Sequence, residues 1–300
     1  MKIGRFIVNI LKRNSYKSTL KRRKIYPPHG VFKEKINVPY IDDGNLQHTF
    51  DIYYANKENK KNCLIFDIHG GAYIFGEHQD NYNFAYVFVE QGYDVVTVDY
   101  EPNDGTMDTK QLVDDIAQNI KHVLEHKKEL EIDYDCVVIT GDSAGGHFAL
   151  LFAELLLDPK YAKELGYEFP KTNVIACLPN CPVYNFTHIG DGSLSSSGMK
   201  RMFGPNYKDT KAFELLDPKA HLKSLTCPVF VSTCKQDFLR AQSYELEKDI
   251  KEQGNLFELL DINTDEKGIG HVHNVLHPEN PYGKQVNDAM MNFIEKARKR

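Results

Sequence analysis

The stretch Thr140-Gly141-Asp142-Ser143-Ala144-Gly145-Gly146 follows directly on the apolar run Cys136 to Ile139 and leads into an Ala- and Leu-rich segment that reaches Leu157. A serine with glycine two places before and two after it, between a strand-like and a helix-like run, has the form of a nucleophile elbow. The reversal from strand to helix strains the residue at its tip, and only small neighbours let the two backbones pass. A glycine-rich turn of the Rossmann kind would instead want Gly-x-Gly-x-x-Gly, which the chain does not supply. The spacing therefore predicts an α/β fold in which the Ser143 hydroxyl stands exposed at the top of a mainly parallel sheet.

A second apolar run, Cys63 to Ile68, ends in His69-Gly70-Gly71-Ala72, the form of the oxyanion loop that follows strand β3 in lipases and esterases. Acyl transfer builds negative charge on the former carbonyl oxygen, and fixed backbone N–H groups stabilise it; each donor is worth about 3 kcal/mol of barrier. Gly70, Gly71 and Ala144 are the expected donors. His69 is read as holding the loop, and Asp142 as fixing the elbow by hydrogen bonding.

Serine is a poor nucleophile without an adjacent base, and the base needs an acid to fix its tautomer. In this fold the chain order is Ser, then Asp or Glu, then His. Val229 to Cys234 reads as a buried parallel strand with Asp237 in the loop beyond it, at the edge where open α/β sheets place their chemistry. Asp261 and Asp265, after the next strand-like run, are weaker candidates. Gly270-His271-Val272-His273-Asn274-Val275-Leu276-His277 offers three imidazoles for the base. Those histidines could also be weighed as metal ligands, but no Asp follows in the cluster and the cysteines lack Cys-x-x-Cys spacing. Neither a metal nor an organic cofactor is expected.

These motifs together resemble the hormone-sensitive-lipase-like group of α/β-hydrolases, which includes many carboxylesterases and acetyl esterases. The resemblance runs through His69 to Gly76, Gly141 to Gly146, Asp217-Pro218, Cys227-Pro228-Val229 leading to Asp237, and Gly270 to His273, and covers roughly residues 45 to 298. It implies the triad Ser143, Asp237 and His271, with His271 preferred over His273 because His273 matches a normally aromatic position. The chain departs from the pattern at Ala72, where a third glycine is usual, and at Tyr100-Glu101-Pro102, where a longer segment is usual.

With 300 residues, 41% of them apolar, the chain has material for one α/β-hydrolase unit over residues 31–300 with a lid insertion at 185–216. Lys and Arg number 37 against 42 acids, so the net charge of −5 implies no nucleic-acid partner. Residues 1–30 carry a run of Lys and Arg with Ile3, Phe6, Ile7, Ile10 and Leu11 at helical spacing. Such a basic amphipathic helix suits weak contact with an anionic membrane surface or, as the resemblance implies, a cap over the acyl pocket. No secretory signal is evident, and the six cysteines are read as reduced thiols of a cytoplasmic protein. Aromatic residues Tyr73, Phe75, Tyr184, Phe186 and Phe203, beside the oxyanion loop or in the lid, are candidates to line a pocket for a small acyl or aryl group.

The expected activity is hydrolysis of short-to-medium acyl esters through an acyl-enzyme, with a small-molecule ester as partner. The same parts could serve an amidase or peptidase, or a small-molecule receptor that has lost turnover.

Overall fold

The computed structural model describes residues 17–25, 27, 33–103, 109–186 and 211–300. Eight strands form one sheet: β1 (Lys33–Pro39), β2 (Thr49–Tyr54), β3 (Cys63–Ile68), β4 (Asp94–Val98), β5 (Cys136–Asp142), β6 (Val174–Asn180), β7 (Val229–Cys234) and β8 (Phe257–Ile262). Their order is β1-β2-β4-β3-β5-β6-β7-β8. The first two strands make an antiparallel edge, Lys33 opposite Tyr54, and β2 also runs antiparallel to β4. Every pairing from β4 through β3 to β8 is parallel.

Parallel strands covered on both faces should be apolar throughout, and β3, β4 and β5 are buried at every position. Alternation then divides the side chains between two cores. Leu64, Phe66, Ile68, Val137 and Ile139 face the helices α3 (Thr109–Glu125) and α4 (Ala144–Leu157). Cys63, Ile65, Val95 and Val138 face α2 (Tyr82–Glu90) and the C-terminal helix Pro281–Arg298. β3 coincides with the apolar run Cys63 to Ile68, and α4 covers the Ala- and Leu-rich segment that ends at Leu157. The C-terminal helix starts at Pro281, because Asn280 caps it and Pro281 occupies its first turn. A short helix, Pro159–Glu164, was not expected; Asp158 caps it in the same way.

The α4 helix is buried from Ala144 to Leu156, and His147 within it is fully enclosed. Its Nε2 lies 2.9 Å from the Leu216 carbonyl, which can only accept, so Nε2 carries the proton and Nδ1 accepts from the Tyr73 hydroxyl at 3.0 Å. Burial pushes this imidazole down to about 4, so it stays neutral at physiological pH.

Of the predicted cap at 1–30, residues 1–16, including the apolar stripe from Ile3 to Leu11, lie outside the described residues; 17–25 form a helix. Arg22, 8% exposed, donates to the Asp80 carbonyl at 3.1 Å, and Thr19 bonds the Asp80 carboxylate. The Arg23 guanidinium lies 4.0 Å from the Tyr82 ring centre. Two of the helix's basic side chains are thus turned onto the segment that leads into α2. Of the predicted lid, 187–210 lie outside the described residues, and Lys211–Leu216 is helical. No helix among the described residues is long and apolar enough to cross a membrane.

Two stability measurements follow from this packing. Phe88, fully buried and edge-on to Phe84, should cost about 3–5 kcal/mol as Phe88→Ala in denaturant unfolding. Because the unfolded His147 titrates near 6.5 and the folded one near 4, the unfolded chain binds the extra proton first, and stability should fall as pH drops through that window. Unfolding of the wild type and His147→Asn at pH 7 and pH 4 should differ in their pH response by up to about 3 kcal/mol, and parallel responses would contradict the neutral assignment.

Candidate active site

Four loops at the C-terminal ends of parallel strands converge at one edge of the sheet. The first is the elbow after β5. Ser143 has φ 56° and ψ −114°, a strained conformation for a residue with a side chain. A Cβ on Gly141 would lie 2.3 Å from the Gly145 carbonyl oxygen, and one on Gly145 would lie 2.0 Å from that of Ile68, so both flanking positions require glycine. The Ser143 N–H donates to the Asn180 carbonyl at 2.9 Å, which ties the elbow to the end of β6. Ala144 follows as the first residue of α4, where an N–H has no partner within the helix.

The second loop, after β3, changes one expectation. The Gly70 N–H donates to Asp142 Oδ1 at 3.0 Å, so this amide is occupied and points at the elbow rather than toward a substrate. Gly70 is therefore an anchor, and its expected place among the oxyanion donors is withdrawn. Asn81 Nδ2 completes the anchor at 2.8 Å from the same carboxylate oxygen, which gives Asp142 the expected fixing role. Burial pushes the Asp142 carboxyl up, against hydrogen bonds from Asn81 and Gly70 that favour its anion. Gly71, Ala72 and Tyr73 follow with φ of 121°, 51° and 66°, a run of left-handed backbone. The amides of Gly71 and Ala72 make no backbone hydrogen bond among the described residues. His69 bonds the Gly70 carbonyl at 2.7 Å, in keeping with the loop-holding role read for it.

The third and fourth loops, after β7 and β8, meet each other. His271 Nδ1 lies 2.6 Å from Asp237 Oδ1. The same carboxylate accepts the Leu239 N–H at 2.9 Å and the Thr233 hydroxyl at 2.7 Å. Burial raises the Asp237 carboxyl, but the bond from His271 and these two donors outweigh it and hold the acid below its ordinary range. An ionised Asp237 fixes the proton on Nδ1, which leaves His271 Nε2 as the acceptor, buried and without a hydrogen bond among the described residues. The His271 ring packs 4.2 Å from that of Phe238, an exposed aromatic that sequence reasoning did not single out. His273 is buried at the start of the helix His273–Leu276 and His277 follows that helix, so of the three candidate histidines it is His271 that the structure sets against Asp237. Asp261 is paired with Arg240 and Asp265 with Lys235, away from this pair.

Asn180 joins these loops. Its Oδ1 accepts from the Ser232 hydroxyl and from Asn274 Nδ2, both at 2.7 Å, while its carbonyl holds the Ser143 amide. The Val272 N–H reaches Cys181 Sγ at 3.3 Å. The segment that carries His271 is thereby pinned to Asn180, which also holds the elbow, and to Cys181 beside it. Nothing in the sequence singled out Asn180, since a lone amide at a strand end has no motif around it.

The aromatic pocket candidates divide. Tyr73, Tyr184 and Phe186 are buried in structural contacts: Tyr73 against Phe148 and His147, Tyr184 with its hydroxyl on Asp249, and Phe186 edge-on to His147. Phe75 keeps accessible surface, and Phe203 lies outside the described residues. Tyr73 and Tyr184 are consequently core rather than wall, because each hydroxyl has an internal partner and each ring is fully enclosed.

Residues 50–250 match the family model BD-FAE. A probable carboxylic ester hydrolase, LipM of Mycobacterium tuberculosis, is 28% identical over 181 residues, which cover 59% of this chain and 41% of the relative. Esterase LipQ of the same organism is 26% identical over 224 residues, covering 70% of this chain and 51% of the relative. The chain thus spans about half the length of these curated relatives. Among solved structures, a C6-C4 SN3 inhibited esterase B from Lactobacillus rhamnosis has a TM-score of 0.88 at 21% identity, over 99% of this chain and 97% of that one. A truncated form of a carbohydrate esterase from gut microbiota has a TM-score of 0.70 at 17% identity, over 89% of this chain and 96% of that one. The architecture is the α/β-hydrolase fold that the motifs implied. With two thirds of its length matched by the family model, the chain belongs to the BD-FAE family.

Proposed function

We propose that the chain is a serine carboxylic ester hydrolase acting on short-to-medium acyl esters through an acyl-enzyme. The observation that carries this reading is the His271–Asp237 pair, whose free Nε2 belongs to a loop pinned through Asn180 and Cys181 to the strained Ser143. The Ser143 hydroxyl attacks the ester carbonyl as His271 Nε2 takes its proton. Asp237 holds the Nδ1–H and stabilises the imidazolium that forms. The amides of Gly71 and Ala72 in the loop and Ala144 at the helix start receive the developing oxyanion, which replaces the set that included Gly70. His271 returns the proton to the leaving alcohol, and water repeats the cycle to release the acid. No step needs a metal or an organic cofactor.

The acyl range draws support from esterase B, whose solved form carries a C4-C4 tributyrin phosphonate inhibitor. Six cysteines, all buried and unbridged, suit a reducing compartment such as the cytoplasm.

Turnover of nitrophenyl esters of two to eight acyl carbons tests the assignment. Ser143→Ala should lower kcat at least about ten-thousandfold, and full activity in that variant would end the reading. Asp237→Asn should leave the fold intact and lower kcat by about the same factor, because the amide stabilises the wrong tautomer of His271. A fluorophosphonate probe should label the wild type at Ser143; an unlabelled serine would favour a receptor.

A further inference from the structure

Beneath the oxyanion loop lies a buried chain of alternating imidazoles and carboxylates that none of the steps above uses. His69 Nδ1 is 2.7 Å from the Gly70 carbonyl and its Nε2 is 3.0 Å from Asp99 Oδ1. Asp99 Oδ2 is 2.6 Å from His78 Nδ1, and His78 Nε2 is 2.9 Å from Asp51 Oδ1. The far end is held by the Asn37 N–H at 2.7 Å and the Tyr53 hydroxyl at 2.7 Å on Asp51. All four titratable members are less than 5% exposed.

A count of protons fixes the charge of this chain. A carbonyl oxygen can only accept, so His69 Nδ1 carries a hydrogen. Each of the three imidazole–carboxylate contacts needs one more. Four protons are therefore shared by two imidazoles and two carboxylates, and the set is neutral overall. With each proton on the more basic partner, both histidines are imidazolium and both aspartates are ionised. The Tyr100 N–H, 2.9 Å from Asp99 Oδ1, favours that ionised form.

The Gly70 carbonyl and the Gly71 N–H belong to one peptide plane. We propose that His69 is a positioning residue acting through that peptide: held as an imidazolium by Asp99, it donates to the Gly70 carbonyl and so aims the Gly71 N–H at the oxyanion and strengthens it as a donor. Hydrogen bonds in series polarise one another, so a charged donor on the carbonyl makes the amide of the same peptide a better donor in turn. Gly76 guards this contact, since a Cβ there would lie 2.6 Å from both His69 Nδ1 and the Gly70 oxygen. The Tyr100 ring stacks on His69 at 4.3 Å and keeps water from it.

The charge assignment agrees with the electrostatics of the surroundings. Burial opposes charge on His78, yet Asp99 and Asp51 outweigh it and lift this imidazole to about 10. Burial likewise opposes charge on His69, and Asp99 with the Gly70 carbonyl reverses the direction. Burial raises the Asp99 carboxyl, but the two histidines hold it below its ordinary range. The other groups facing the pair are Asp67 and Asp142 from the sheet and Glu77 and Asp80 from the segment after the loop. The one guanidinium acting on these acids is that of Arg22, which interacts with Asp80 and Asp142, and the pair itself faces carboxyl groups.

The proposal rests on the ester-hydrolase reading, and two measurements on the full chain keep the two apart. In imidazole 15N–1H correlation spectra of the wild type at pH 8, assigned with His69→Asn and His78→Asn, each ring should show two N–H groups, where an ordinary histidine near 6.5 shows one. A single N–H on either ring overturns the proposal, whatever the enzyme's activity. In kinetics, Asp99→Asn removes the charge that keeps His69 protonated, so His69 loses its proton as pH rises. Relative to wild type, kcat should fall about tenfold near pH 8 with KM within about twofold, phosphonate labelling of Ser143 should slow in step, and the deficit should deepen from pH 6 to 9. A pH-independent deficit, or a change in KM alone, would mark a merely structural role and overturn it. Wild-type protein that neither turns over esters nor takes the label defeats the ester-hydrolase reading itself, and the N–H count still decides the protonation of the chain.

Discussion

The side chain and carbonyl of Asn180 are the constraint on which the site depends. One buried residue at the end of β6 accepts the Ser143 amide, the Ser232 hydroxyl and the Asn274 amide, and so joins the ends of β5 and β7 to the loop that carries His271. A nucleophile and its base come from segments more than a hundred residues apart in sequence, and packing of apolar side chains alone is too forgiving to fix their relation to fractions of an ångström. Directional bonds inside a low-dielectric interior supply that definition, provided every polar atom finds a partner. The surrounding parallel strands, buried on both faces, provide the rigid floor from which the loops rise.

Much of this was legible in the residues. Cys63–Ile68 and the start of Cys136–Asp142 declare themselves by mainly apolar character, and Gly141 and Gly145 by the closeness of backbone they permit. Asp237 followed from its place after a buried run. What escaped was of two kinds. The direction of an amide is set by the φ of its loop, so the sequence could name Gly70 and Gly71 without telling which one faces the elbow and which the substrate. Long-range polar contacts leave no local pattern either. Asn180 ends a strand, Asp99 follows one and His78 opens a short helical turn, none within a motif, and only the fold brings them to their partners. The aromatics Tyr73 and Tyr184 misled for a related reason, since a ring near a loop can turn inward once its hydroxyl finds an internal acceptor.

The anchor at Gly70 also explains how the loop tolerates Ala72 where a third glycine was the expectation. The loop's path is held from both sides, by Asp142 on the Gly70 N–H and by His69 on its carbonyl, so the next residues inherit their conformation instead of choosing it. Ala72 then adopts a φ of 51° that an isolated alanine would avoid.

Ala72, Tyr73, Ser143, Cys181 and Val272 account for five of the seven non-glycine residues with positive φ among the described residues, and all five border this one edge of the sheet. Conformations of this kind cost on the order of 1–3 kcal/mol each, which is large beside the net stability of a domain. The edge is therefore held in a tensed shape by the rest of the fold. Variation judged only by thermal endurance would relax these positions toward glycine, and would blunt the nucleophile while the body of the molecule grew sturdier.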